Sequence, residues 1–308
     1  MKVTSINRFK DSKLKSCVIG IGKFDGFHKG HQKIITEIVK MSKKYNCIPA
    51  IFTIKNYPAA SNISSWKERL NAFKKNGIEL CLWAEFAAIM KVSHHEFLKM
   101  LSSLCKIKAI VVGKNFKFGF HRKGDVNFLK SWATQKKVTV KLLKPVIING
   151  RTVSSSIIKN MIRSSKFYEA AKMLGRWYSL KGVCIHGRAE GRNIGIPTIN
   201  LQLENRNNPL SEGVYACMVK QRKRFHKAVF FYGKPRTFSN TETSFEIHIP
   251  ETEIGNSYGR TFEVIPVKKI RNPEKFDSIE ALANVIKNDI AKMNKIFAKE
   301  FDGIEKKV

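Results

Sequence analysis

Between residues 17 and 143 short apolar runs alternate with helical stretches, and after Gly175 the helices drop out. Cys17 to Ile21, Ile48 to Ile54, Ile78 to Trp83, Lys108 to Val112 and Val138 to Leu143 read as strands. Gln32 to Tyr45, Trp66 to Lys75, Glu96 to Leu104 and Val126 to Lys136 carry helical periodicity between them. This alternation predicts a Rossmann-like parallel sheet with helices on both faces. Ligands in such sheets bind at the carboxyl ends of the strands, where Gly22 and Gly113 fall. Ile148-Asn149-Gly150-Arg151 reads as a tight hairpin turn, followed by helices over Ser155 to Arg163 and Phe167 to Leu174. Beyond them come six strand-like segments: Gly182–His186, Thr198–Leu203, Gly213–Lys220, His226–Tyr232, Thr243–Ile249 and Thr261–Val267. Six short strands joined only by turns predict a closed antiparallel barrel. A last helix is expected over Ile279 to Phe297, with Leu282, Val285, Ile286, Ile290 and Met293 on its apolar face. The expected domains are residues 1–178 and 179–308.

Composition narrows the function classes. No apolar run approaches the roughly 18 residues of a membrane span, and the first eight residues lack the apolar core of a signal peptide. The six cysteines are scattered without a CxxC pair, which favours free thiols in a reducing cytoplasm over disulfides or zinc. The formal charge of +33 raises nucleic acid as a partner. However, the charge is spread along the chain, and only 14 of 57 basic residues are arginine, the residue whose fork reads phosphates and bases. The expectation is a lysine-rich surface that steers phosphate substrates, with no specific nucleic acid and no membrane as partner.

Two stretches carry chemistry. In the first, Gly22-Lys23-Phe24-Asp25-Gly26-Phe27-His28-Lys29-Gly30-His31 joins an apolar strand to a helix. Gly22, Gly26 and Gly30 let the backbone approach an anion. The helix start offers unpaired N–H groups, and His28 and His31, three apart, lie on one face of its first turn. In the second, Gly187, Arg188, Gly191, Arg192 and Gly195 form a glycine-rich loop suited to phosphates, running into Pro197-Thr198-Ile199-Asn200. The loop lacks the Lys-Ser/Thr of a P-loop. Thr198 and Asn200 alternate onto one strand face, where an oxygen from each suits Mg²⁺.

The first string, Gly-x-Phe-Asp-Gly-x-His-x-Gly-His, resembles the nucleotidyltransferase signature of bifunctional riboflavin kinase/FAD synthetases. The second resembles the riboflavin kinase signature, with Ile199 where the family has Ala. Further matches run in order. Val111 to Gly119 with Arg122-Lys123-Gly124-Asp125 resembles the family's segment bordering nucleotide and flavin, which implicates Asn115, Arg122 and Asp125. Val153-Ser154-Ser155-Ser156 resembles a helix start that receives ATP phosphates, although simple helix capping would use the same residues. Phe245-Glu246-Ile247-His248 resembles the strand whose glutamate takes the proton from the flavin 5′-hydroxyl, and Arg271 and Phe276 fall in the flavin-binding segments that follow. The chain departs from the pattern at Lys55, where the family has an acid, and at Lys159, where it has Arg. Phe231 replaces an Asn, and Arg236 falls where the shifted proline is missed. The resemblance implies MgATP-dependent phosphorylation of riboflavin to FMN, then adenylylation of FMN to FAD. Two alternatives stand beside it: a riboflavin kinase with a degenerate front domain, and a basic nucleic-acid-binding protein on a borrowed fold.

Overall fold

The computed structural model describes residues 1–8, 16–187, 195–221, 224–234, 243–250 and 257–300. The chain divides into two compact units, Met1–Ser155 and Ser156–Val308.

In the first unit, β1 (Lys2–Ser5), β2 (Cys17–Ile21), β3 (Ile48–Lys55), β4 (Leu80–Glu85), β5 (Ile107–Gly113) and β6 (Thr139–Leu143) form one sheet. Its order is β1-β4-β3-β2-β5-β6, and every neighbouring pair is parallel. Five of these strands are the expected ones; β1 is not, since Lys2 to Ser5 has no apolar run. It pairs along the open edge of β4, Val3 opposite Cys81, where main-chain donors and acceptors need partners. Five helices connect the strands: α1 (Lys29–Lys44), α2 (Trp66–Lys75), the short unforeseen α3 (Phe86–Ile89), α4 (His94–Leu104) and α5 (Val126–Gln135).

Both sheet faces are buried, which is why β2 reads as an unbroken apolar run. Cys17, Ile19 and Ile21 face a core built with Phe97, Leu98, Leu101 and Leu129. Val18 faces a second core with Ile35, Ile38 and Phe73. Gly20 sets the depth of α1 against the sheet, because a Cβ there would occupy the place of Ile38 Cδ1. Burying one such isoleucine contributes about 1.5–3 kcal/mol. The connections run outward from β2 through β3 to β4 on one side and from β5 to β6 on the other. The switch between β2 and β5 is where an open α/β sheet leaves a crevice. A hairpin of β7 (Ile147–Ile148) and β8 (Arg151–Thr152) follows, its turn residues Asn149 and Gly150 at φ 50° and 72° as a type I′ turn demands.

The second unit begins with α6 (Ser155–Arg163, whose first residue belongs to the first unit) and α7 (Phe167–Leu174). Then come β9 (Leu180–Ile185), β10 (Ile199–Leu203), β11 (Gly213–Gln221), β12 (Arg224–Gly233), β13 (Ser244–His248) and β14 (Thr261–Arg271). These close into an antiparallel barrel of order β10-β13-β12-β11-β14-β9, sealed by β9 pairing with β10. Tyr215, Phe230 and Phe245 stack through it at 4.9 Å spacing. The terminal helix α8 (Ile279–Glu300) lays Met293 and Phe297 on Val214, Ala216, Met218, Val229 and Ile265. Its Asp289, 1% exposed, takes the Arg271 guanidinium at 2.9 Å. Among the described residues no helix is long and apolar enough to cross a membrane.

Candidate functional site

The turn after β2 is held from several sides. Phe24 leaves the strand in the left-handed region, φ 53°, with its ring fully buried against Phe73 and His31. Asp25 is buried, and its Oδ1 accepts the N–H groups of Ile63 at 2.9 Å and Ser64 at 3.1 Å. Ser64 Oγ in turn accepts the Gly26 N–H at 2.9 Å. Gly26 sits at φ 77° with Ile63 where a Cβ would go, so no other residue fits without strain. Asp25 thus acts on the turn itself, clamping it to the 63–64 segment. The Lys23 carbonyl accepts from Arg69 at 3.0 Å and Thr53 at 3.2 Å, and Arg69 also reaches the Ile54 carbonyl. No sequence signal marks Arg69, an arginine in an ordinary amphipathic helix.

His28 caps α1, its Nδ1 accepting the His31 N–H at 3.4 Å. Accepting there leaves its proton on Nε2. The two imidazoles stack with centroids 3.6 Å apart. Burial pushes His28 down to about 4 against the pull of nearby Asp25, and burial beside His28 pushes His31 well below its usual value. Both are therefore neutral at pH 7. Among the described residues His31 Nδ1, which is buried, has no hydrogen-bond partner. A Cβ on Gly30 would come within 3.1 Å of the His28 ring, and Ser155 Oγ donates to the Asp25 carbonyl at 3.0 Å. The α1 start and two neutral imidazoles therefore meet at one turn, which suits an anion.

The other residues expected around this site are placed less uniformly. Gly22 is half-buried at the β2 terminus, its N–H given to Phe52. Asn115 and Arg122 are exposed in the segment after β5. Asp125 is the N-cap of α5, accepting from Asn127 and Phe128 at 3.0 and 2.9 Å. Ser154 is half-buried, Ser156 exposed and Lys159 half-buried along α6. Lys55 has a partner in Glu85, opposite it on β4 at 3.8 Å, and lies over the Trp83 ring.

On the barrel, Asn200 of β10 lies directly opposite Glu246 of β13. Ile199, Leu201, Phe245 and Ile247 point inward and are buried, so the alternating Thr198, Asn200, Glu246 and His248 share the outer face. Ser244 Oγ donates to Glu246 Oε1 at 2.6 Å and orients the carboxylate. Gly187 lies so close to the Asn200 amide that a Cβ would overlap it. Gly195, at φ 70°, and Pro197 are exposed. Arg188, Gly191, Arg192 and Arg236 lie outside the described residues. Among the described residues no cluster of three His, Cys, Asp or Glu side chains forms a metal cage. The hydroxyl and amide oxygens of Thr198 and Asn200 suit Mg²⁺ completed by phosphate oxygens and water. Arg271 and Phe276 are brought together, 5.4 Å from guanidinium to ring, yet Arg271 is also tied to Asp289. The sequence reading missed Asp289; its signal is a lone acid amid the apolar stripe of Ile286, Ile290 and Met293.

Comparison with known proteins matches a FAD synthetase family model to residues 10–157 and a riboflavin kinase model to residues 174–297. The bifunctional riboflavin kinase/FMN adenylyltransferase of Buchnera aphidicola (strain Sg) is 30% identical, over 91% of this chain and 93% of its own. The chain belongs to the bifunctional riboflavin kinase/FMN adenylyltransferase family. The family member of Escherichia coli K12 is 25% identical over 99% of this chain and 98% of its own. A crystal structure described as a macrolide-efflux protein from Streptococcus pneumoniae superposes with TM-score 0.79, at 28% identity, over 96% of this chain and 99% of that one. The two family models meet the two halves of this chain in order, the α/β sheet first and the barrel second.

Proposed function

We propose that this chain makes FAD in two steps, riboflavin kinase chemistry on the barrel and FMN adenylyl transfer on the α/β unit, with residues 1–178 and 179–308 as the working modules. Membership of the bifunctional family supports both activities. The observation that carries the residue assignment is the direct pairing of Asn200 with Glu246 beside Thr198.

In the kinase step Glu246 accepts the proton of the riboflavin 5′-hydroxyl as its oxygen bonds to the γ-phosphorus and ADP leaves. A positioned carboxylate of this kind contributes about 10²–10⁴-fold. Ser244 holds the carboxylate in place. Mg²⁺, when bound through Thr198 and Asn200, supplies charge neutralisation on the nucleotide phosphates. Backbone N–H groups of the loop from Gly187 to Gly195, with Arg188 and Arg192, cradle the same phosphates. Arg271 and Phe276 border the flavin.

In the adenylyl step an oxygen of the FMN phosphate bonds to the α-phosphorus of ATP and pyrophosphate leaves. That nucleophile is already anionic, so no base is needed. His28 and His31 serve as neutral N–H donors to phosphate oxygens, which fits their burial. The turn from Gly22 to Gly26, with Gly30, Ser154 and Ser155, completes the cradle, and Asn115 and Arg122 supply further polar contacts to the nucleotide. Phe24, Asp25 and Asp125 hold the backbone that makes it. ATP and FMN are cytosolic metabolites, which supports a cytoplasmic setting.

The test is incubation of the purified protein with riboflavin, MgATP and inorganic pyrophosphatase, with flavins resolved by chromatography. FMN followed by FAD is expected. FMN that never becomes FAD would leave a kinase alone, and no FMN at all would sink the proposal.

A further inference from the structure

We propose that His248 is a positioning residue of the kinase site, fixing Thr198 through the carbonyl in front of it. His248 stands two residues after Glu246 and on the same face of β13. Its Nδ1 lies 2.9 Å from the Pro197 carbonyl oxygen. A carbonyl has no proton to give, so Nδ1 carries the hydrogen and donates.

The position matters because of where the strand ladder stops. Pairing of β10 with β13 begins at Ile199 opposite Ile247, so Thr198 lies one residue outside it. Pro197 has no N–H, which leaves its carbonyl as that residue's one main-chain hydrogen-bonding group. The imidazole takes that carbonyl and extends the pairing by one position with a side chain. On the other arm of the same loop, Gly187 is pressed against the Asn200 amide. The Thr198 hydroxyl and the Asn200 amide are thus each set by a neighbour that does not itself offer a ligand. Groups that orient metal ligands in this way are commonly worth about 10–100-fold in affinity.

This inference rests on the proposed placement of Mg²⁺ at Thr198 and Asn200. The experiment uses the full chain and three variants, His248→Ala, His248→Asn and His248→Gln. An Asn amide nitrogen reaches close to the Nδ1 position, whereas a Gln amide reaches toward Nε2. Binding of Mn²⁺ in the presence of ADP is followed by the loss of its free-ion EPR signal. Half-saturation of riboflavin phosphorylation by Mg²⁺ gives a second readout, and adenylyl transfer from supplied FMN reports an intact fold.

Mn²⁺ affinity is expected to fall about tenfold in His248→Ala, to recover in His248→Asn and to stay weak in His248→Gln, with adenylyl transfer retained. Should His248→Ala lose its fold, the Asn and Gln variants decide the matter by the same contrast. Wild-type Mn²⁺ affinity in His248→Ala, or equal affinities in the Asn and Gln variants, would overturn the role of His248. A wild-type chain that binds Mn²⁺ with ADP yet never phosphorylates riboflavin would instead bring down the kinase reading beneath it.

Discussion

The heart of the cradle after β2 is ten consecutive residues, Gly22 to His31, whereas the barrel site joins Asn200 to a residue 46 positions later in the chain. The first is built inward. Asp25 and His28 are 7% and 6% exposed, and the imidazoles are kept neutral by their surroundings. The second is built outward, on the solvent side of two paired strands whose opposite side fills the barrel. A helix start supplies anion-binding groups locally, so a short segment suffices. A strand face supplies only alternate side chains, so its site exists only once register is set.

That contrast can be broken at its outer member first. Glu246→Gln removes the proposed proton acceptor with little change of shape, and riboflavin phosphorylation should fall by about 10²–10⁴-fold while FMN adenylylation continues. Equal loss of both activities, measured by flavin chromatography, would show that the two sites are not separate. The mirror experiment, His31→Asn, should cost adenylyl transfer about 10²–10³-fold and leave FMN formation from riboflavin intact. Kinase loss in that variant would again undo the division.

A third experiment sharpens the difference in burial. His28 sits at about 4 in the folded chain against its usual 6.5, so the unfolded chain takes up the proton first as pH falls. The His28 contribution to the stability of the first unit is then full above about pH 6.5 and declines toward pH 4, by about 3 kcal/mol. Denaturant melts across that range, compared with a His28→Asn variant that should flatten the slope, test it. The smallest effect concerns Asp125, whose carboxylate caps α5. Asp125→Ala should lower stability by about 1 kcal/mol, and Asp125→Asn should restore it. A large loss of adenylyl transfer in the Asn variant at unchanged melting would move Asp125 from scaffold to ligand.

Much of the architecture was legible because periodicity reports burial. The runs at Cys17, Ile48 and Ile107 are apolar over most of their length since both faces of the sheet are covered, and Trp66–Lys75 is the helix its pattern describes. Asn149-Gly150 predicts its hairpin because few other pairs accept two positive φ angles. By contrast, β1 forms only because β4 leaves an edge open, and nothing within Lys2 to Ser5 announces that. Among site residues, the spacing of His28 and His31 placed them together without help. The engagement of Asp25 with Ile63 and Ser64, of Arg271 with Asp289 and of His248 with Pro197 spans 18 to 51 positions and has no local signature.

By itself the sequence determined the order of strands and helices, the change from α/β to barrel and the chemistry on offer in each, since these follow from short-range pattern and residue type. Tertiary structure decided which carboxylates stand on an outer strand face and which hold the backbone, that burial keeps both histidines neutral, and that Asn200 meets Glu246. Those outcomes depend on burial and strand register, and both are properties of contacts between distant segments.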